Sequence, residues 1–207
     1  MTEAEWLAAT DPGMMLRFVH GLASGRKLRL FSVACWRGED NASDYSGELE
    51  ALEQFADGLL TTTECDEMLA DLHPLVANFL SAHHLLEAVA SAEHWGAACD
   101  GASHAGVAAK SENRLLWHYR VPRYSACIRE LFGNPFRPVA LVPVWLTSTV
   151  RALAEGIYQE RAFDRMPILA DALQDAGCDN EDILTHCRQP GEHVRGCWVV
   201  DLVLGKG

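Results

Sequence analysis

The chain has no apolar run approaching the roughly 18–20 residues that a membrane-spanning helix needs, so a helical span is not expected. Positive charge is scarce, with 17 Lys and Arg against 29 Asp and Glu and a net charge of −12. Nucleic acid is therefore a poor partner, because phosphate binding needs a basic face. The sequence also lacks a phosphate loop, a dinucleotide glycine fingerprint, a Gly-x-Ser-x-Gly elbow and a His-Glu-x-x-His pair. Those absences rank catalysis behind binding. The opening MTEAEW is acidic where a secretory signal would be basic, and no long apolar segment follows it. Seven cysteines without such a signal imply reduced thiols and a cytoplasmic protein. Their odd number excludes a complete intramolecular disulfide framework.

What is present is ordinary globular composition: 207 residues, 49% apolar and 22% charged, enough for one sizeable core. The charge is unevenly spread. Residues 1–109 hold 5 basic against 17 acidic side chains, residues 110–137 hold 6 against 2, and residues 138–207 hold 6 against 10. The basic middle segment is expected to pack on the acidic N-terminal part, with an anionic ligand site as the alternative.

Helix signals recur along the chain. Thr2 with Glu5, and Thr61 with Glu64, are capping boxes. Asp11-Pro12 opens a helix carrying Met15, Phe18, Val19 and Leu22. Ser24 caps one with Leu28, Phe31 and Cys35 on one face, and its Arg26, Lys27 and Arg29 read as solvated. After the polar Arg37–Asp44 stretch, Leu49, Leu52, Phe55 and Leu59 resume the stripe. Pro74 begins the longest run, through Val76, Phe79, Leu80, Leu86, Val89 and Ala90, fading into an Ala/Gly/Ser-rich loop up to Ser111. Residues 112–132 are weakly helical, and Pro122 should kink or divide them.

Two prolines make Gly133–Pro138 the clearest non-helical element, since Asn134 and Arg137 are steered away from helical geometry. A proline-rich seam near 133–143 is expected, separating possible subdomains 1–132 and 139–207. Beyond it, Ala140–Leu146 is the one candidate strand. Thr147 caps a helix with Val150, Leu153, Ile157 and Tyr158. Pro167 starts another, which Gly177 stops, and Asp179 or Asn180 opens a short one to Arg188. Val194–Leu204 is apolar nearly all round, as a buried helix would be. The expected fold is all-α, a single-domain helical array or bundle over 1–207.

Three blocks, MTEAEWL…DP..ML.F..G.AS.RKLRLF, GNPFRPVAL and AFDRMPILADALQDAGCDNEDI…PGEHVRGCWVVDLVLGK, resemble a multi-copy family of planctomycete-type bacteria. The resemblance covers residues 1–36 and about 128–206. It implies a source lineage and no catalytic residues, because the family has no established activity. Family members often carry two adjacent cysteines where this chain has Cys35-Trp36, so a metal site needing that pair lacks a ligand here.

Several constellations could carry chemistry. Cys178, Cys187, His193 and Cys197 offer the soft donors of a structural zinc site, although the spacing Cys-x8-Cys-x5-His-x3-Cys lacks tight knuckles. Core thiols are the simpler reading, with no cofactor. His193, Cys197 and Asp201 at i, i+4 and i+8 contain the types of a thiol nucleophile, base and orienting carboxylate. A ladder on one helix converges poorly on a substrate, however, and Asp201 reads more simply as a buried partner of Arg151 or Arg195. His83, Glu87 and His94 share a face, with His84 close by, but a two-metal bundle would need a second Glu-x-x-His copy. Six tryptophans, Trp6, Trp36, Trp95, Trp117, Trp145 and Trp198, read as core and seam packing. In the stiffened loop, Phe136 and Arg137 are the candidates for contacting a partner, although the simpler expectation is that Phe136 plugs the core beside Trp198 while Arg137 neutralises a carboxylate such as Asp201. The function expected from the sequence is a non-catalytic protein–protein interaction or scaffold module, with a zinc-binding protein or a cysteine-dependent enzyme as alternatives.

Overall fold

In the computed structural model, residues 1–19, 21–38, 42–69 and 113–207 are described, and all regular structure among them is helical. The run from Pro74, the loop before Ser111 and the His83, His84, Glu87 and His94 set lie outside the described residues. The chain divides into two compact units, Met1–Pro135 and Phe136–Gly207.

The N-terminal unit contains α1 (Glu3–Ala8), α2 (Pro12–Val19), α3 (Gly25–Arg37), α4 (Ser46–Ala56), α5 (Thr62–Leu69) and α6 (Asn113–Phe132). Local chemistry starts them. The Thr2 hydroxyl accepts from Glu5 N while the Glu5 carboxylate accepts from Thr2 N, and Thr61 and Glu64 do the same at α5. Asp11 Oδ1 accepts from Gly13 N and Met14 N ahead of α2, and Ser24 Oγ accepts from Lys27 N at α3. Helix α3 is the hub: it packs on α4 and α6, while α2 also packs on α6 and α4 on α5. Its burial exceeds one stripe, taking in Leu28, Leu30, Phe31, Val33, Ala34, Cys35 and Trp36.

The three cations of α3 are not a solvated face. Arg26 Nε donates to Asp57 Oδ1 at 2.8 Å, Lys27 Nζ donates to Leu131 O at 2.9 Å, and Arg29 lies 4.7 Å over the Phe55 ring. Each is a long side chain that covers apolar surface with its stem and places its charge on a nearby partner. The basic segment on α6 also meets its neighbours through backbone oxygen. Arg123 donates to the carbonyls of Ala34 and Cys35 at the end of α3. Arg129 donates to Trp6, Leu7 and Ala9 at the end of α1. A helix C-terminus leaves its last carbonyls short of regular helical partners, and the two guanidinium groups supply donors and positive charge there.

Two apolar positions leave the expected stripes. Leu22 follows the end of α2 and is 70% exposed, and Leu59 follows α4 and is 66% exposed. Helix α6 runs on through Pro122 without division. One missing N–H is offset by the turns beyond it, which bury Tyr124, Cys127, Ile128 and Leu131.

The C-terminal unit contains α7 (Ser148–Glu160), α8 (Met166–Asp175), α9 (Glu181–Arg188) and α10 (Trp198–Leu204). Ala140–Leu146 is not a strand. Pro143–Trp145 makes a single tight 3-10 turn that buries Trp145, and no strand occurs among the described residues. Thr147 Oγ1 caps α7 through Val150 N, and Asn180, rather than Asp179, caps α9 through Ile183 N. At the end of α8, Gly177 takes φ +92° while Gly177 N donates to Gln174 O and Cys178 N to Leu173 O. That paired closure is the Schellman arrangement. Helix α7 packs on α8 and α10, and α9 packs on α8 and α10, around Val150, Ile157, Tyr158, Met166, Leu169 and Leu173.

The last helix is shorter than its apolar pattern. It begins at Trp198, because Gly196 at φ +91° belongs to a turn in which Cys197 N donates to Val194 O at 2.9 Å. A left-handed residue cannot continue a right-handed helix.

Candidate metal centre

Helix α9 carries Ile183, Leu184, His186 and Cys187 on its buried side. The first two and Cys187 enter the apolar core, and His186 emerges at the last turn, only 8% exposed. The chain then passes Gln189, the Pro190-Gly191 bend and His193 before the glycine turn delivers Cys197 to the N-cap of α10. Three stretches of chain thus converge. His186 Nε2 lies 3.2 Å from Cys197 Sγ, and the His186 and His193 rings meet edge to face at 5.2 Å. One ligand atom from each of His186, His193 and Cys197 falls within 4.8 Å of the others. Trp198 closes one side, its ring 5.1 Å from His186. Beyond the ring, Gln189 Nε2 stands 3.2 Å from His186 Nδ1.

Two imidazoles and a thiol suit a borderline-soft ion such as zinc. With metal–ligand distances of about 2.0–2.3 Å, tetrahedral zinc holds neighbouring N and S donors roughly 3.3–3.7 Å apart. The 3.2 Å pair is close to that spacing, and the remaining separations require a closure of about 1 Å or so.

Two members of the expected zinc set, His193 and Cys197, belong to this group, and two do not. Cys178 is buried in the apolar core and its sulfur lies outside the group of converging ligand atoms, where burial pushes its thiol pKa up. Cys187 is wholly buried in the apolar core. It follows His186 on α9 and so points about 100° away from it around the helix.

The ladder of His193, Cys197 and Asp201 also fails, since residues 193–197 are not helical. The imidazole bonded to Cys197 is His186, and Asp201 is buried on α10 outside the group of potential ligands. Arg151 is exposed, whereas Arg195 is buried over the Tyr158 ring at 4.5 Å. Phe136 is half-buried and Arg137 is exposed. Among the tryptophans described with side chains, Trp6, Trp36 and Trp145 are buried and Trp198 is half-buried.

His186 is the residue that the sequence pattern passed over. Its signal in the sequence is the i, i+3 pair His186–Gln189 at the end of a capped helix, one position before Cys187.

No protein-family model matches the chain, and neither a curated protein nor a solved structure does. Among the described residues no helix is long and apolar enough to cross a membrane.

Proposed function

We propose that the C-terminal unit is a zinc-binding module, with His186, His193 and Cys197 as ligands. The observation that carries this reading is the convergence of two imidazoles and a thiol from α9, the following loop and the start of α10. A bound ion would tie those three stretches together, and its binding energy would add directly to the stability of the unit. Three protein ligands leave the fourth position of a tetrahedral ion to water or a further donor, and Cys197, with no solvent exposure, serves as a ligand and not as a nucleophile. Metal analysis of the purified full-length chain tests it. One equivalent of zinc is expected, lost in Cys197→Ser and His186→Ala; zinc well below stoichiometry after purification in zinc-supplemented medium would overturn it.

A second reading, a protein–protein interaction or scaffold module, is supported by the segment that follows the two-proline loop. Val142 and Val144 are 43% and 69% exposed there, beside exposed Arg137. Phe136 is half-buried, so Phe136→Ala should cost less than the roughly 3–5 kcal/mol of a fully buried aromatic. Thermal melting checks this, and a loss in the full range would make Phe136 a core residue and remove it from the candidate surface. Location in a reducing cytoplasm fits the six described cysteines, all buried thiols. Membership of the planctomycete-type family is proposed on the sequence blocks alone.

A further inference from the structure

Resting on the zinc reading above, we infer that Gln189 is a positioning residue that sets which nitrogen of His186 carries the proton, and so whether Nε2 offers the metal a lone pair. A neutral imidazole carries one proton, and both of its nitrogens have a close polar neighbour: Cys197 Sγ at 3.2 Å from Nε2, and the Gln189 amide at 3.2 Å from Nδ1. With the amide nitrogen of Gln189 turned to the ring, Nδ1 must accept, so the proton sits on Nε2 and points at the sulfur. That arrangement occupies the lone pair a metal would use. With the amide turned over, its oxygen accepts from Nδ1–H, and the Nε2 lone pair is directed at the site. An outer partner that accepts from the far nitrogen is the usual companion of a metal-bound histidine.

The structure holds the first of these arrangements, and a half-turn of the Gln189 amide gives the second. In the metal-free state Gln189 donates and His186 holds its proton against Cys197. Zinc at the site would take Cys197 as the thiolate, its proton passing to solvent, and His186 through the Nε2 lone pair, so that the ring's one proton would stand on Nδ1 with the Gln189 amide oxygen accepting it. The imidazole gains and loses no proton overall. Gln189 is well placed for the turn: its backbone is pinned by N–H donation to Thr185 O at 2.8 Å, while its side chain is exposed.

The experiment is ¹⁵N–¹H correlation of the histidine rings in the full-length protein, without metal and with one equivalent of zinc, alongside zinc titration. Wild type should show His186 as the Nε2–H form without metal and the Nδ1–H form with zinc. Gln189→Glu, which can only accept, should show Nδ1–H in both states and bind zinc at least as tightly as wild type. Gln189→Ala should lose about tenfold to a hundredfold in zinc affinity. Circular dichroism controls for folding. Nδ1–H in metal-free wild type, or equal zinc affinity in wild type and Gln189→Ala, would overturn the inference. Zinc failing to bind wild type at all would overturn the zinc reading and the metal-driven proton shift with it. The metal-free ring states of wild type and Gln189→Glu would still decide whether Gln189 sets the tautomer.

Discussion

Single side chains in the N-terminal unit do the work of helix ends. The Arg123 guanidinium reaches the last carbonyls of α3 only because Gly38 has no side chain; a Cβ there would collide with the guanidinium itself. Gly38→Ala is expected to displace Arg123 and destabilise the protein by about 1–3 kcal/mol, as a forced shift with lost charge-assisted bonds. Arg123→Ala should cost a similar amount, and the double variant should cost less than the two added together, because both act on one contact. Urea unfolding of the three variants checks this. Simple additivity would mean that the glycine and the arginine act separately.

At the scale of the element, the helices were largely legible because their ends are written in short side chains. Thr2, Ser24, Thr61, Thr147 and Asn180 each accept the backbone bond that their residue type and position imply. The last helix was misread for the complementary reason. Apolar periodicity runs through Val194 into α10, but one glycine torsion ends the helix at the turn, and torsion leaves no trace in a hydrophobic pattern. The same torsion separates His193 and Cys197 from a ladder and brings Cys197 to His186, so the candidate site was legible through two of its three residues, His193 and Cys197. The caps also imply a pH response. Backbone and hydroxyl donors of Thr2 and Thr61 hold the Glu5 and Glu64 carboxyls below their ordinary pKa. A carboxylate with a lowered folded pKa contributes stability that is present above its unfolded value and is lost as pH falls through the folded one. Amide exchange at the starts of α1 and α5 should accelerate, relative to its intrinsic rate, as pH is lowered through that acid range. Glu64→Gln should remove the response at α5 and leave that at α1. An unchanged profile in the variant would mean that another group titrates there.

For the whole molecule, the two compact units predict a local answer to metal. Zinc at a hundred times its dissociation constant would stabilise the unit that binds it by about 2.7 kcal/mol. Hydrogen exchange measured with zinc and with a chelator should therefore differ across α9 and α10 and leave α1 to α3 unchanged. A difference spread evenly over both units would contradict a site confined to the C-terminal one. Arg129 of α6, whose guanidinium meets the end of α1, governs how the chain tolerates sequence change. Its partners are the carbonyl oxygens of Trp6, Leu7 and Ala9, which every amino acid supplies alike. A saturation library should consequently be lopsided. Codons 7 and 9 should accept wide variety, while codon 129 should reject nearly everything, lysine included, since no other side chain spreads several donors in one plane.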